Sequence, residues 1–245
     1  MLLTQPEIEG WQLGSDYRPA REIGGDFFDV FPIVGDGRQL AIVIADVSGK
    51  GISAAILMAF IRPVMRAAMD HTGDPVEALE RTNRILVEER PTGLLVTALC
   101  GVLDLDTGNL RFANAGHEPP LLVRAATGPA ATGAAATRAA DTGAVEELTL
   151  AGPLLGAFRT LGLETCTVRL EPGDALVLYT DGVTDAATAD GERFGAERFE
   201  SLVREHCAVS ATAVVQTVMA AVTAWEGDEP ADDLALLVVR RSGLG

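Results

Sequence analysis

Four aspartates in this 245-residue chain stand where an apolar stretch meets a turn, each among small residues. They are Asp26 after Gly24-Gly25, Asp46 at the head of Asp46-Val47-Ser48-Gly49-Lys50-Gly51, Asp181 in Tyr179-Thr180-Asp181-Gly182, and Asp232 in Ala231-Asp232-Asp233-Leu234. An ionised carboxylate at the end of a buried strand is costly unless it is paired or holds a cation, and few Lys or Arg lie near these positions. Hard oxygen donors without His or Cys select Mg²⁺ or Mn²⁺ over zinc. Small neighbours let an ion or a phosphate come close to the backbone.

Each carboxylate alone has a plainer reading: Asp26 as a hairpin residue, Asp46 as a helix N-cap, Asp181 as the start of an Asp-Gly turn, Asp232 as a loop acid. Their recurrence in one local setting carries the cation reading. Gly49-Lys50-Gly51 before a helix resembles a phosphate loop, but the full P-loop spacing is absent, which argues against an NTPase.

The elements that must position these residues follow from period and punctuation. Trp11 to Tyr17, Phe27 to Val34 and Leu40 to Asp46 read as strands, the last two joined by a Gly35-Asp36-Gly37 turn. From Ile52 to Met69 the apolar residues recur at three- and four-residue spacing, an amphipathic helix that Pro63 is placed to kink. A second helix runs from Pro75 to Glu88, followed by strands at Leu94 to Asp104 and Leu110 to Asn114 around an Asp106-Thr107-Gly108 turn. Ala125 to Ala144, almost all Ala, Thr and Gly, reads as a mobile surface loop. Beyond it come strands at Glu164 to Leu170 and Ala175 to Thr180, helices at Ala196 to His206 and Thr212 to Trp225, and a strand at Leu234 to Arg240. So many hairpins exclude a doubly wound parallel sheet. Two mostly antiparallel sheets stacked face to face, with helical layers outside, fit instead.

With 48% hydrophobic and 22% charged residues the chain buries one sizeable core, as one domain over 1–245, and is not a disordered segment. The longest apolar runs, such as Leu40 to Ala45, fall short of the roughly 20 residues of a membrane helix. No signal peptide opens the sequence, so a cytoplasmic protein with no membrane partner is expected. Cys100, Cys166 and Cys207 are odd in number and widely spaced, as for reduced core thiols. A net charge of −16 excludes nucleic acid as a partner, since that binding needs a basic face.

Five ordered segments resemble the SpoIIE/RsbU branch of the PPM, or protein phosphatase 2C-like, superfamily: Arg21 to Asp29, Asp46 to Gly51, Asn114-Ala115-Gly116-His117-Glu118-Pro119-Pro120, Leu178 to Asp185, and Asp232-Asp233-Leu234. The likeness covers about Tyr17 to Arg240. It implies an αββα sandwich with two Mn²⁺ or Mg²⁺ ions at one end of the sheets, hydrolysing phosphoserine or phosphothreonine. By position, Asp46 should bridge the metals, the Val47 carbonyl should ligate one, Asp181 and Asp232 should complete the other, and Asp26 should bind directly or through water. Asp233 is the less suited member of its pair. Arg21, five positions before Asp26, matches the phosphate-binding arginine of eukaryotic relatives, and its fork suits a phosphate dianion.

Two positions depart from the eukaryotic pattern. Ser48 replaces the histidine of Asp-Gly-His-Gly, which removes the usual proton donor to the leaving group. His117 replaces the aspartate of Asn-x-Gly-Asp, which argues against a third metal site. His117 is a candidate donor itself, or equally a turn residue bonded to the backbone. By the same resemblance the substrate is a phosphorylated anti-sigma-factor antagonist of the STAS type, and a homodimer is compatible. The alternatives are a catalytically weak or inactive PPM-fold binding module and a small-molecule phosphatase. Relatives often carry a sensor domain before the phosphatase, and the first motif, at Arg21, leaves no room for one.

Overall fold

A computed structural model describes residues 6–35, 37–49, 51–89, 93–125, 143–227 and 230–243. Most of the loop expected at 125–144 lies outside the described residues, as do Asp36 and Lys50. In chain order the elements are β1 (Trp11–Arg18), β2 (Phe27–Pro32), β3 (Gln39–Val47), α1 (Ile52–Thr72), α2 (Pro75–Glu89), β4 (Val96–Asp104), β5 (Asn109–Ala115), β6 (Leu121–Val123), β7 (Val145–Glu147), β8 (Cys166–Arg169), β9 (Ala175–Tyr179), α3 (Gly182–Asp185), α4 (Gly195–His206), α5 (Ala211–Glu226) and β10 (Leu234–Arg241).

The strands form two antiparallel sheets, one in the order β1-β10-β9-β6-β7 and the other in the order β2-β3-β4-β5-β8. Period-two alternation assigns each strand's two faces. On β3, Leu40, Ile42 and Ile44 meet Leu176 and Leu178 of β9 and Leu237 of β10 in a core between the sheets. Ala41, Val43, Ala45 and Val47 point the other way, onto Leu57, Ile61 and Met65 of α1 and Leu79 of α2. In the other sheet Val177 and Tyr179, with Leu236 and Val238, pack on Phe199 of α4 and Val214, Val215 and Val218 of α5. The stack is therefore helix, sheet, sheet, helix, as expected.

Local chemistry sets the helix ends. Asp74 accepts the Glu77 N–H at 3.0 Å and so caps α2 ahead of Pro75, while Ser210 caps α5 through the Ala213 N–H at 3.0 Å. α1 runs through Pro63 without ending. At 21 residues it is long and apolar enough to cross a bilayer by length and composition alone. One face of it instead lies in the core, and Arg62 and Arg66 reach the buried Asp29 of β2 at 3.4 and 3.0 Å. Such a clamp belongs to a helix packed on protein. Cys100 and Cys207 are buried, Cys166 is half-buried, and all three are free thiols.

Candidate metal centre

Alternation decides where the candidate residues point. Asp46 continues the Leu40, Ile42, Ile44 face of β3, so it lies on the inter-sheet side at the strand's end. The same count puts Asp26 in line with Phe28 and Val30, Thr180 in line with Leu176 and Leu178, and Asp233 in line with Ala235 and Leu237. β2 begins where β3 ends, and β10 begins where β9 ends, because both pairs are antiparallel. One rim of the space between the sheets thus collects the polar residues of four strand ends. Asp181 and Asp232 flank that rim in the turns beside β9 and β10. Asp181 is fixed by its main chain, whose carbonyl accepts the Thr184 and Asp185 N–H groups at 3.0 and 2.8 Å. Asp232 accepts the Asp233 N–H at 3.0 Å.

The electrostatics show that these carboxylates are neighbours. Burial holds the Asp26 carboxyl far above the ordinary carboxylate range. The charge of Asp46 and a hydrogen bond shared with it add to the shift, as does Asp233, while the Thr180 hydroxyl works the other way. Asp181 is pushed up to about 6, first by burial, then by the charges of Asp46, Asp232, Asp185 and Glu118. Half-buried Glu118 is itself raised, by burial and by Asp185, Glu147 and Asp46. Asp46 therefore acts on both Asp26 and Asp181, and Asp181 is coupled to Asp232. An all-oxygen set of mutually repelling acids has the donor chemistry of a hard divalent cation. Its spacing is open: among the described residues no three Asp, Glu, His or Cys side chains are gathered closely enough to hold a metal ion as they stand.

Asp233 has a different task. Its carboxylate is buried and accepts the N–H of Ala20 at 2.8 Å, of Gly25 at 2.6 Å and of Asp26 at 3.5 Å. It ties the segment that carries Arg21 and Asp26 to the start of β10. The two glycines in that segment are required by close approach. A Cβ on Gly25 would stand 3.1 Å from the Val47 carbonyl oxygen, and one on Gly24 would overlap the Tyr17 hydroxyl and the Asp233 carboxylate. The Val47 carbonyl therefore faces the Asp26 segment. Neither Asp233 nor Tyr17, whose buried hydroxyl has no hydrogen-bond partner among the described residues, was singled out in the sequence as part of the site. Both fall on the inter-sheet parity of their strands, which is the signal that could have found Asp233.

Ser48 is also committed locally: its Oγ accepts the Leu95 N–H at 2.8 Å, and its own N–H donates to the Leu95 carbonyl at 2.8 Å. Arg21 is exposed and makes no ion pair among the described residues; its guanidinium lies over Gly51, where a Cβ would be 3.9 Å from Nη1. It is thus placed at the mouth of α1, beside the loop that follows Asp46.

His117 is held in place by local hydrogen bonds. It is buried, its N–H donates to Asn114 Oδ1 and its carbonyl accepts from Asn114 Nδ2, both at 2.8 Å, and Nδ1 lies 2.8 Å from Thr97 Oγ1. Burial pushes the imidazole down to about 4, against a smaller opposing pull from the Tyr179 backbone. A shift in that direction favours the neutral ring, and a neutral imidazole is a very weak acid. Of the two sequence readings, the turn residue bonded to the backbone is the one this geometry matches.

The sequence matches the family described as Stage II sporulation protein E (SpoIIE) over residues 36–242. It is 30% identical over 223 residues, 80% of the chain, to Protein IcfG of Synechocystis sp.. It is 28% identical over 238 residues, 96% of the chain, to phosphoserine phosphatase RsbU of Bacillus subtilis. The chain spans 32% and 65% of the length of these two relatives. Among solved structures, the RsbU and RsbW domains of Rv1364c from Mycobacterium tuberculosis superpose with a TM-score of 0.76 at 25% identity, covering 96% of this chain and 61% of that one. With the layered fold and the rim of aspartates in place, a family match across most of its length settles the lineage: the chain belongs to the SpoIIE family, of the SpoIIE/RsbU type within the PPM phosphatase superfamily.

Proposed function

We propose that this chain is a metal-dependent phosphoprotein phosphatase that hydrolyses phosphoserine or phosphothreonine on a STAS-type anti-sigma-factor antagonist, acting in the cytoplasm as a single domain. The observation that carries the reading is that Asp26, Asp46, Asp181 and Asp232, from four strand ends in two sheets, act on one another at a single rim. Natural folds avoid such repulsion unless something positive offsets it. Asp46 would bridge two Mn²⁺ or Mg²⁺ ions, Asp181, Asp232 and the Val47 carbonyl would complete their shells, and Asp26 would bind directly or through water. Two such cations supply activation of water and neutralisation of the phosphate charge. Exposed Arg21, which makes no ion pair among the described residues, would hold the phosphate dianion by its fork. Ser48 and His117 are both engaged in positioning contacts, so neither serves as the leaving-group acid.

The test measures phosphate release from a phosphorylated STAS protein, a phosphopeptide and a nucleotide, each with Mn²⁺ and with chelator. Manganese-dependent turnover, fastest on the STAS protein, is expected. Equal turnover of all three would remove the substrate assignment, and turnover in chelator would remove the metal. The open spacing of the carboxylates favours one second reading, a catalytically weak or inactive PPM-fold binding module. It predicts no turnover with any substrate in saturating Mn²⁺.

A further inference from the structure

The chain crosses from one sheet to the other between β5 and β6, and His117 stands in that crossing. On one side its Nδ1 meets Thr97 Oγ1 at 2.8 Å. Thr97 is the cross-strand partner of Asp46 in the β3–β4 register, so the two side chains share a face with their Cβ atoms about 5 Å apart. On the other side, Leu121 pairs with Val177 in the β6–β9 register, so the residues ahead of β6 run antiparallel past Tyr179 toward Asp181. The Tyr179 backbone lies near enough to oppose the downward shift of the ring's pKa, while Nε2 is buried and makes no hydrogen bond among the described residues. Asn114 grips both main-chain groups of His117, so the ring has little freedom to move.

We propose that His117 and Thr97 form a strut between the two sheets that sets the separation of Asp46 from Asp181, making both of them positioning residues for the metal centre. The inference rests on the phosphatase reading above. It gives His117 a task other than acid catalysis: the residue stands where the chain passes from β5 of one sheet to β6 of the other, and the Thr97 hydroxyl ties that crossing to the strand position paired with Asp46. A carboxylate pair that binds cations cooperatively needs such a fixed distance, because cation affinity falls when the groups around the ligands are loosened.

The test compares Thr97→Val, Thr97→Ser and His117→Asn in the full chain by titration calorimetry with Mn²⁺, by melting in EDTA, and by steady-state hydrolysis of a phosphopeptide. Thr97→Val and His117→Asn should weaken Mn²⁺ binding about 10- to 100-fold, whereas Thr97→Ser, which keeps the hydroxyl, should stay within about threefold of the wild type. At saturating Mn²⁺ the kcat of the two damaging variants should fall while KM for the phosphopeptide holds, since Arg21 is untouched. Unchanged Mn²⁺ affinity in Thr97→Val and His117→Asn overturns the proposal. So does an affinity loss that Thr97→Ser shares and that simply follows the melting temperature in EDTA, for that pattern means a packing role only. Wild-type protein that binds no Mn²⁺ would instead bring down the metal-centre reading itself, and Asp181→Asn provides the matching control.

Discussion

Asp232 and Asp233 are adjacent and chemically identical, yet the geometry gives them opposite tasks, and replacing each by alanine should separate those tasks cleanly. Asp233→Ala removes the acceptor for the Ala20 and Gly25 N–H groups, held at 2.8 and 2.6 Å. A hydrogen bond to a charged acceptor contributes roughly 1.5–3 kcal/mol, so two short ones amount to about 3–6 kcal/mol. Relief of the repulsion that Asp233 exerts on Asp26 offsets part of this. A net loss of about 3 kcal/mol is therefore expected, large against the 5–15 kcal/mol of a typical domain but short of unfolding it. Asp232→Ala, on a half-buried side chain in a turn, should cost about 1 kcal/mol or less in the absence of metal.

Urea unfolding in EDTA, followed by the fluorescence of Trp11 and Trp225, reads the first effect, and Mn²⁺ calorimetry on the same samples reads the second. Asp233→Ala should show the lower midpoint with an unchanged slope, and Asp232→Ala should show the lost ion. Asp233→Asn, which keeps one carbonyl oxygen, should fall between Asp233→Ala and the wild type in stability. Equal apo stabilities for the two alanine variants, or full Mn²⁺ binding by Asp232→Ala, would refute the division of labour.

Four further outcomes follow from the same contacts. Replacing both Arg62 and Arg66 by alanine leaves the buried Asp29 carboxylate without a partner and should cost about 3–5 kcal/mol in urea unfolding, where either single change costs clearly less. Arg21→Ala should leave melting unchanged and raise KM for a phosphopeptide about tenfold, with Arg21→Lys a poor substitute because the fork is lost. Asp46→Asn and Asp181→Asn should keep the fold, as both sit at the rim, and abolish manganese-dependent hydrolysis. For pH, Asp26 and Asp181 have their carboxyl pKa raised in the fold, so the native state binds protons more tightly than the unfolded chain. Stability in EDTA should accordingly fall as pH climbs from about 4 through 6 and beyond, and saturating Mn²⁺ should flatten or reverse that trend. Melting curves across that range check it, and stability in EDTA that rises with pH would count against the raised pair.

The layered fold was legible because its strands obey the period-two rule and its long helices the 3.6-residue rule, with Gly-containing turns between them. Hairpin β2–β3, the pair β4–β5 and helices α1, α2, α4 and α5 stand within three residues of where those patterns put them. The short strands β6 and β7 escaped for a physical reason. Three residues such as Leu121–Val123 are too few to show alternation, and all three are buried, so their strand character comes from pairing with β9 rather than from any local pattern. The 21-residue α1 shows the limit of counting apolar runs: no single run in it is long, yet its apolar residues outweigh Arg62 and Arg66 enough for its overall hydropathy to resemble that of a membrane helix.

For the site, motif positions picked out acids by their neighbours, and the structure adds the reason why some acids differ from others. Parity along a strand distinguishes Asp233, in line with Ala235 and Leu237 and turned inward onto backbone N–H groups, from Asp232, which flanks the rim. It likewise distinguishes Asp29, turned outward to the arginines of α1, from Asp26 three residues earlier, turned inward to Asp46. None of these facts requires knowledge of which strand pairs with which. The role of His117 does require it, because Thr97 is 20 residues away in sequence, and only the fold brings its hydroxyl to the ring and pairs it with Asp46. A residue that joins two sheets has its meaning in long-range pairing, which a local reading of the chain does not contain. Two readings of His117 therefore stood level in the sequence, and the Asn114 hydrogen bonds to its main chain in the fold are the contacts that the turn reading expects.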